Sequence, residues 1–269
     1  MPNHPAAFDT QAETYDRRAG LPEQHCPAIA QAVRQMAAAM PGDLVFEVGA
    51  GTGRLGAWLA RPPLRYVGID LSHRMLAASP TRPASPSHRP LLLQADGNDP
   101  WPLAEATVRV IFSSRALHWL DPAHVVDESC RVARPDGASL IIGRIQRPAG
   151  SLSTMMQHEM QQLLRQHGFS GHGGEQHQRR LLAAFQPYGA TELAPVVVVR
   201  WTVTRTPGQS IADWESKPGL GGIGVRHAVK RVILDELRIW AQSTFGDLHR
   251  QVPCEEAYVL RGVRLQPTA

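Results

Sequence analysis

Hydrophobic positions along the chain fall into two kinds of run that alternate. Short apolar runs rich in β-branched residues stand at Leu44–Val48, 64–70, 91–95, 108–113 and 138–143, long enough for buried strands and too short for helices. Between them lie longer stretches with helical features, at 27–40, 54–60 and 123–132. Pro27 suits a first helical turn, and the Ala and Met residues that follow favour helix. Strands that alternate with helices predict an α/β domain with a parallel sheet. Two further strand runs, 196–203 and 256–265, are expected to close the sheet as antiparallel strands. Helical patterns at 151–167, 179–185, 211–215 and 225–245 surround the first of these. The Pro- and Ser-rich stretch 79–90 reads as a surface loop within the domain.

One stretch organises the rest. After the strand Leu44–Val48 come Gly49, Gly51 and Gly53 at alternate positions, and then a helical run that closes before Pro62-Pro63. Strand, glycine turn and helix form the entrance to a nucleotide-binding fold. The missing Cβ atoms let the backbone approach a ligand, and the helix start offers free N–H groups. The glycines do not name that ligand. Gly51, Gly53 and Gly56 also satisfy G-x-G-x-x-G, and Asp70 lies near the spacing of a ribose-binding acid, so a nicotinamide enzyme is a rival. Glu47 just before the first glycine, with a second acidic turn at Asp96, tilts the balance. A diphosphate would be repelled by Glu47, whereas a phosphate-free cofactor with a free ammonium would be attracted.

Glu47-Val-Gly-Ala-Gly-Thr-Gly53 resembles the first motif of class I S-adenosylmethionine-dependent methyltransferases. That resemblance implies a doubly wound, seven-stranded, Rossmann-like sheet with S-adenosylmethionine as cofactor and S-adenosylhomocysteine as product. It places Glu47, Gly49, Ala50, Gly51 and Gly53 at the cofactor, with Asp70 on the ribose hydroxyls. One of Leu71 and Met75 would line the adenine face, Asp96 and Gly97 would meet its amino group and ring nitrogen, and Ser113, at the end of the fourth strand, would also belong to the cofactor site. The stretch from Phe8 to Asp16 is similar to the F-D-x-x-A-x-x-Y-D lead-in of small-molecule methyltransferases, where the segment folds over the cofactor as a lid. Tyr15 would then wall both cofactor and substrate. Asp99-Pro-Trp-Pro-Leu103 and the R-x-x-R-P-x-G-x-L run from Arg131 are further landmarks, the latter explained by turn geometry.

Substrate chemistry is expected just past the fourth strand. The Asn/Asp-Pro-Pro-aromatic quartet of nucleic-acid and protein amine methyltransferases is absent there. Leu117-His-Trp119 instead resembles the A-L-H-W element of enzymes that methylate small organic molecules. The resemblance makes His118 the candidate catalytic residue, taking a proton from a hydroxyl or hydrogen-bonding a carboxylate, and Trp119 a flat apolar wall of the substrate site.

Composition narrows the setting. The 269 residues carry 28 Lys and Arg against 24 Asp and Glu, a formal net charge of +4. The basicity is nearly all arginine, scattered and often beside acids as in Asp127–Arg131 and Asp235–Arg238, which predicts a solvated surface and no nucleic-acid partner. Three isolated cysteines give neither a disulfide framework nor a zinc knuckle. His167, His172 and His177 lie five apart, a spacing that suits no helix face, so no metal is expected. Without an eighteen-residue apolar run or a signal-peptide pattern, a cytoplasmic protein without membrane association is expected.

The combined expectation is one methyltransferase domain over 1–269, with an N-terminal lid at 1–40 and an inserted helical cap at about 145–192. It would move a methyl group to an O, N or C atom of a small molecule, with a homodimer left open. Three alternatives stand beside it: a same-fold enzyme of eliminative or pericyclic chemistry, an NAD(P)-dependent oxidoreductase, and a non-catalytic binding protein.

Overall fold

The computed structural model describes residues 20–79, 90–169, 174–217, 219–220 and 223–266, with Asp9, Ala12, Tyr15 and Asp16 from the N-terminal segment; the side chains of 174–176 are not included. Phe8, most of the loop expected at 79–90, His172, Gly221 and Gly222 lie outside the described residues.

Seven strands form one mixed sheet in the order β3-β2-β1-β4-β5-β7-β6. They are β1 Leu44–Val48, β2 Arg65–Asp70, β3 Leu91–Gln94, β4 Val110–Ser114, β5 Ala138–Gln146, β6 Thr191–Arg205 and β7 Val252–Leu265. β1 pairs in parallel with both β2 and β4, β2 with β3, and β4 with β5. The strand order therefore reverses at β1 and β4, the place where open α/β sheets leave a crevice at the strands' carboxyl ends. All five residues of β1 are buried, as its unbroken apolar run predicts for a strand covered on both faces. Phe46 points from β1 onto Trp101, ring centroids 5.1 Å apart, within a core that includes Val67, Ile111 and Leu140.

The helices are α1 Cys26–Met36, α2 Gly56–Leu59, α3 His73–Ala77, α4 Pro122–Val132, α5 Leu152–Gln166, α6 Gly174–Ala183, α7 Pro207–Glu215 and α8 His227–Phe245. Side chains cap several of them: Ser72 accepts from Met75 N at the start of α3, Asp121 from Ala123 N at α4, and Thr206 and Gln209 form a reciprocal capping box at α7. The seven strands match the expected topology, and several elements differ in extent. β6 runs fifteen residues where an eight-residue strand was expected, and α2 spans only four residues of the helical run 54–60. Gly53 and Gly56 weaken the helical preference of that short segment.

The chain divides into two compact units, one of residues 1–145, 175–199 and 258–269, the other of 146–174 and 200–257. The second unit differs from the expected cap at 145–192. Its apolar stripe on α5, Leu152, Met156, Met160 and Leu163, packs in one core with Ile211 of α7 and Ile233, Leu234 and Leu237 of α8. Burying that stripe needs partner helices from after β6, which sequence distance alone does not reveal. Residues 175–192 belong to the first unit, where Leu181, Leu182 and Phe185 join the sheet's core.

Candidate active site

The exits of β1, β2, β3 and β4 in the first unit surround a cleft. Gly49 and Gly51 from the β1 turn, Asp70 and Leu71 from the end of β2, and Met75 from α3 form one part of its wall. Asp96 and Gly97 follow β3, Ser114 ends β4, and Arg115, Ala116 and Trp119 follow it. Tyr15 contributes from the N-terminal segment.

Two glycines are fixed by geometry. Gly49 sits at φ +75°, and a Cβ there would come within 2.2 Å of the Ala116 Cβ, so the turns after β1 and β4 are pressed together. Gly51 has φ +57° and donates its N–H to Asp70 Oδ2 at 2.8 Å. The other Asp70 oxygen accepts from Ser72 N at 2.9 Å. Burial raises the Asp70 carboxyl above its ordinary value, and these two backbone N–H groups offset only part of that rise. Each oxygen keeps a second lone pair for another donor. Asp96 accepts from Asn98 through both its backbone N–H (2.9 Å) and its side-chain amide (3.2 Å), both on Oδ1. Asn98 Oδ1 in turn accepts from Asp121 N at 2.8 Å, which ties the β3 exit to the start of α4.

Described residues of the N-terminal segment bond to the same turns. Asp16 accepts from Thr52 Oγ1 at 2.6 Å and pairs with Arg54 at 3.4 Å, while Asp9 accepts from Ser72 Oγ. Tyr15 OH accepts from Arg115 at 3.3 Å, and the Arg115 guanidinium carbon lies 5.5 Å from the centroid of the Tyr15 ring.

Five expected site residues stand elsewhere than on the cleft wall. Glu47 is buried beneath the glycine turn and accepts from Tyr66 OH at 2.6 Å. Burial pushes its carboxyl from about 4.5 up to about 8, so at neutral pH it is mostly neutral. The charge argument built on Glu47 is thereby corrected: the carboxyl groups on the cleft wall are those of Asp70 and Asp96. Ala50 donates its N–H to Ile69 O at 2.8 Å, and Gly53 donates to Ala50 O at 3.0 Å; both shape the turn from behind. Ser113 points away, its hydroxyl donating to Val48 O at 2.8 Å, because successive residues of a strand face opposite ways. Its neighbour Ser114 occupies the cleft wall and shares a 2.7 Å hydrogen bond with Tyr258 OH. His118, on the single 3₁₀ turn Leu117–Trp119, sets its ring against Trp119 with centroids 4.8 Å apart and planes tilted by 41°, and it is Trp119 that borders the cleft.

Residues that the sequence did not single out complete the site. Arg115 lines the cleft with φ +65°, and no local motif signals that conformation. Glu128 and Arg131, read from sequence as surface charges, form a mostly buried clamp. Both Glu128 oxygens accept from Arg131 at 2.7 Å, and Oε2 also accepts from Trp101 N at 2.6 Å. Arg131 donates to Leu103 O and Trp101 O, so the clamp pins the Asp99–Leu103 turn beside the cleft. The Arg131 guanidinium holds the Glu128 carboxyl below its usual range. The i, i+3 spacing of an acid and an arginine was the available signal.

Comparison with known proteins agrees with this architecture. Residues 46–141 match the sequence model of a methyltransferase domain family. A malonyl-[acyl-carrier protein] O-methyltransferase from Laribacter hongkongensis is 36% identical over 143 residues, 49% of this chain and 47% of that protein. An uncharacterized methyltransferase from Mycobacterium tuberculosis is 37% identical over 93 residues, 35% of this chain and 36% of that protein. The chain thus spans half or less of the length of these curated relatives. Among solved structures, a Bacillus halodurans protein assigned as a methyltransferase superposes with a TM-score of 0.54 at 16% identity, covering 89% of this chain and 99% of that one. The [4+2]-cyclase SpnF gives 0.51 at 17%, covering 90% and 82%. Residues 46–141 thus resemble a methyltransferase domain, within a chain that has the class I methyltransferase fold.

Proposed function

We propose that this chain uses S-adenosylmethionine to methylate a small organic molecule. The observation that carries the reading is the use of the Gly51 N–H. In dinucleotide sites such N–H groups point at the pyrophosphate. Here that of Gly51 is committed to Asp70, whose carboxylate stands on the cleft wall with Asp96 one strand further on. Two acids beside a glycine turn with a committed donor favour a ribose and an adenine over a diphosphate. This supports Asp70 as acceptor of the ribose hydroxyls and Asp96 as acceptor of the adenine amino group. Leu71 and Met75 give the apolar border of the base, and Tyr15 closes the cleft from the N-terminal side.

The bound cofactor would supply an electrophilic sulfonium methyl. What the chain supplies is alignment and exclusion of water, and orientation of this kind contributes on the order of 7–11 kcal/mol to bimolecular reactions. Trp119 presents an apolar face to the reacting centre. His118 touches that indole and acts through it, as a positioning residue. The malonyl-[acyl-carrier protein] relative is an O-methyltransferase, which favours oxygen as the acceptor atom here.

Calorimetric titration with S-adenosylhomocysteine, NAD and NADP tests the reading. Micromolar binding of S-adenosylhomocysteine without dinucleotide binding is expected; tight NAD or NADP binding alone would reverse the choice of cofactor. Substrate conversion without release of S-adenosylhomocysteine would move the chain to the eliminative or pericyclic class.

A further inference from the structure

The two edges of the sheet are unlike. At one end β3 is four residues long; at the other β6 runs fifteen, and among the described residues β7 is its one neighbouring strand. A sheet edge presents a row of backbone N–H and C=O groups ready to pair with another strand. Short edges and charged edge residues discourage such pairing. β3 is short. β6 is long, and its run Leu193-Ala-Pro-Val-Val-Val-Val199 holds no ionisable residue. The run is also bare on both faces. Val196 and Val197 point to opposite sides of the strand and are 37% and 48% exposed, with Ala194 and Pro195 exposed beside them.

The flanking charges select the partner. Glu192 and Arg200 stand four residues before and four after Val196. When a strand pairs antiparallel with its own copy in one sheet, the two-fold axis is perpendicular to the sheet and every side chain keeps its face. Residues equally far from the axis then oppose one another. With the axis at Val196, Glu192 of each copy meets Arg200 of the other, Ala194 meets Val198, and Leu193 meets Val199. Moving the axis by one or two residues either way sets Glu192 or Arg200 against Val196, Val198 or Ala194 instead. Arg200 is 60% exposed and donates from Nη1 to Glu255 of β7 at 3.0 Å, which leaves its other N–H groups for a second carboxylate. Pro195 lacks an N–H and removes at most one donor per strand from the ladder. We propose that β6 is a dimer surface, pairing antiparallel with β6 of a second copy about a two-fold axis at Val196 and joining the two sheets into one.

Sedimentation and light scattering of the full chain at micromolar concentrations test the surface. Wild type is expected as a concentration-dependent dimer. Val196→Lys sets two ammonium groups against each other on the axis, at a position already exposed, and is expected to be a monomer that is folded by circular dichroism. Cysteine variants read the register. Facing residues of an antiparallel pair have Cα atoms about 4.5–5.5 Å apart, within disulfide reach, so Val196→Cys is expected to cross-link to its own copy on oxidation. Val198→Cys would lie about 13 Å from its own copy and is expected not to cross-link. Wild type, with Cys26, Cys130 and Cys254, is the control. Glu192→Arg is expected to weaken the dimer about tenfold, and the added Arg200→Glu exchange to recover part of that loss. A wild-type monomer, a Val196→Lys variant as dimeric as wild type, or a Val196→Cys chain no better cross-linked than Val198→Cys overturns the proposal. So does a double variant that dimerises no more tightly than Glu192→Arg alone.

Discussion

The two ends of the cleft are built by different means. At the β2 and β3 exits, each acid ends or follows its own strand and is held by the backbone N–H two residues on, with Gly51 N–H added at Asp70. At the β4 exit, the wall depends on distant residues: Gly49 makes room for Ala116, Tyr15 meets Arg115, and Tyr258 reaches Ser114 across 144 positions of sequence. The acidic end is local chemistry repeated along parallel strands. The cationic end is a junction, and it exists only when the sheet is assembled.

Substitutions can break that contrast, most strongly at the junction. Gly49→Ala forces a Cβ into Ala116 and strains a positive φ. Steric overpacking and the left-handed penalty together predict a loss of about 2–5 kcal/mol, read by denaturant unfolding. A loss under about 1 kcal/mol would mean that the two turns part easily.

At the acidic end, Asp70→Ala removes the proposed ribose acceptor and the partner of Gly51 N–H. S-adenosylhomocysteine affinity is expected to fall at least ~30-fold, about 2 kcal/mol, with Asp70→Asn intermediate. An unchanged dissociation constant by calorimetry would move the ribose elsewhere.

Glu47 and Glu128 give the contrast an electrostatic form. Glu47 has its folded value raised to about 8, so the folded protein holds a proton that the unfolded chain releases above about 4.5. Its stabilising contribution is complete below that lower value and is lost as pH rises through about 8. Glu47→Gln stays neutral, so its Tm relative to wild type is expected to climb from pH 5 to pH 9. A flat difference would show that the carboxyl is not shifted. Glu128, lowered by Arg131, has the opposite sign: its contribution is present above the ordinary carboxyl range and is lost as pH falls through the lowered value.

The smallest effect is expected at His118. Because its ring packs against Trp119 without bordering the cleft, His118→Ala should cut turnover only a few-fold at unchanged cofactor affinity. A loss of a hundredfold or more, with a pH profile that loses one limb, would restore it as a general base.

The sequence by itself determined the sheet, the glycine turn and the acids, because each depends on residues near one another in the chain. Strand runs such as Leu44–Val48 carry their burial in their composition, and Asp70 and Asp96 mark the ends of strands that the same periodicity locates. Tertiary structure decided the rest. It turned Ser113 inward and Ser114 outward, neutralised Glu47 by burial, converted Glu128 and Arg131 from surface charges into a clamp, and set Arg115 at φ +65°. It also joined α5 to helices that follow β6. These outcomes depend on desolvation and on contacts between residues far apart in the chain, which periodicity does not encode.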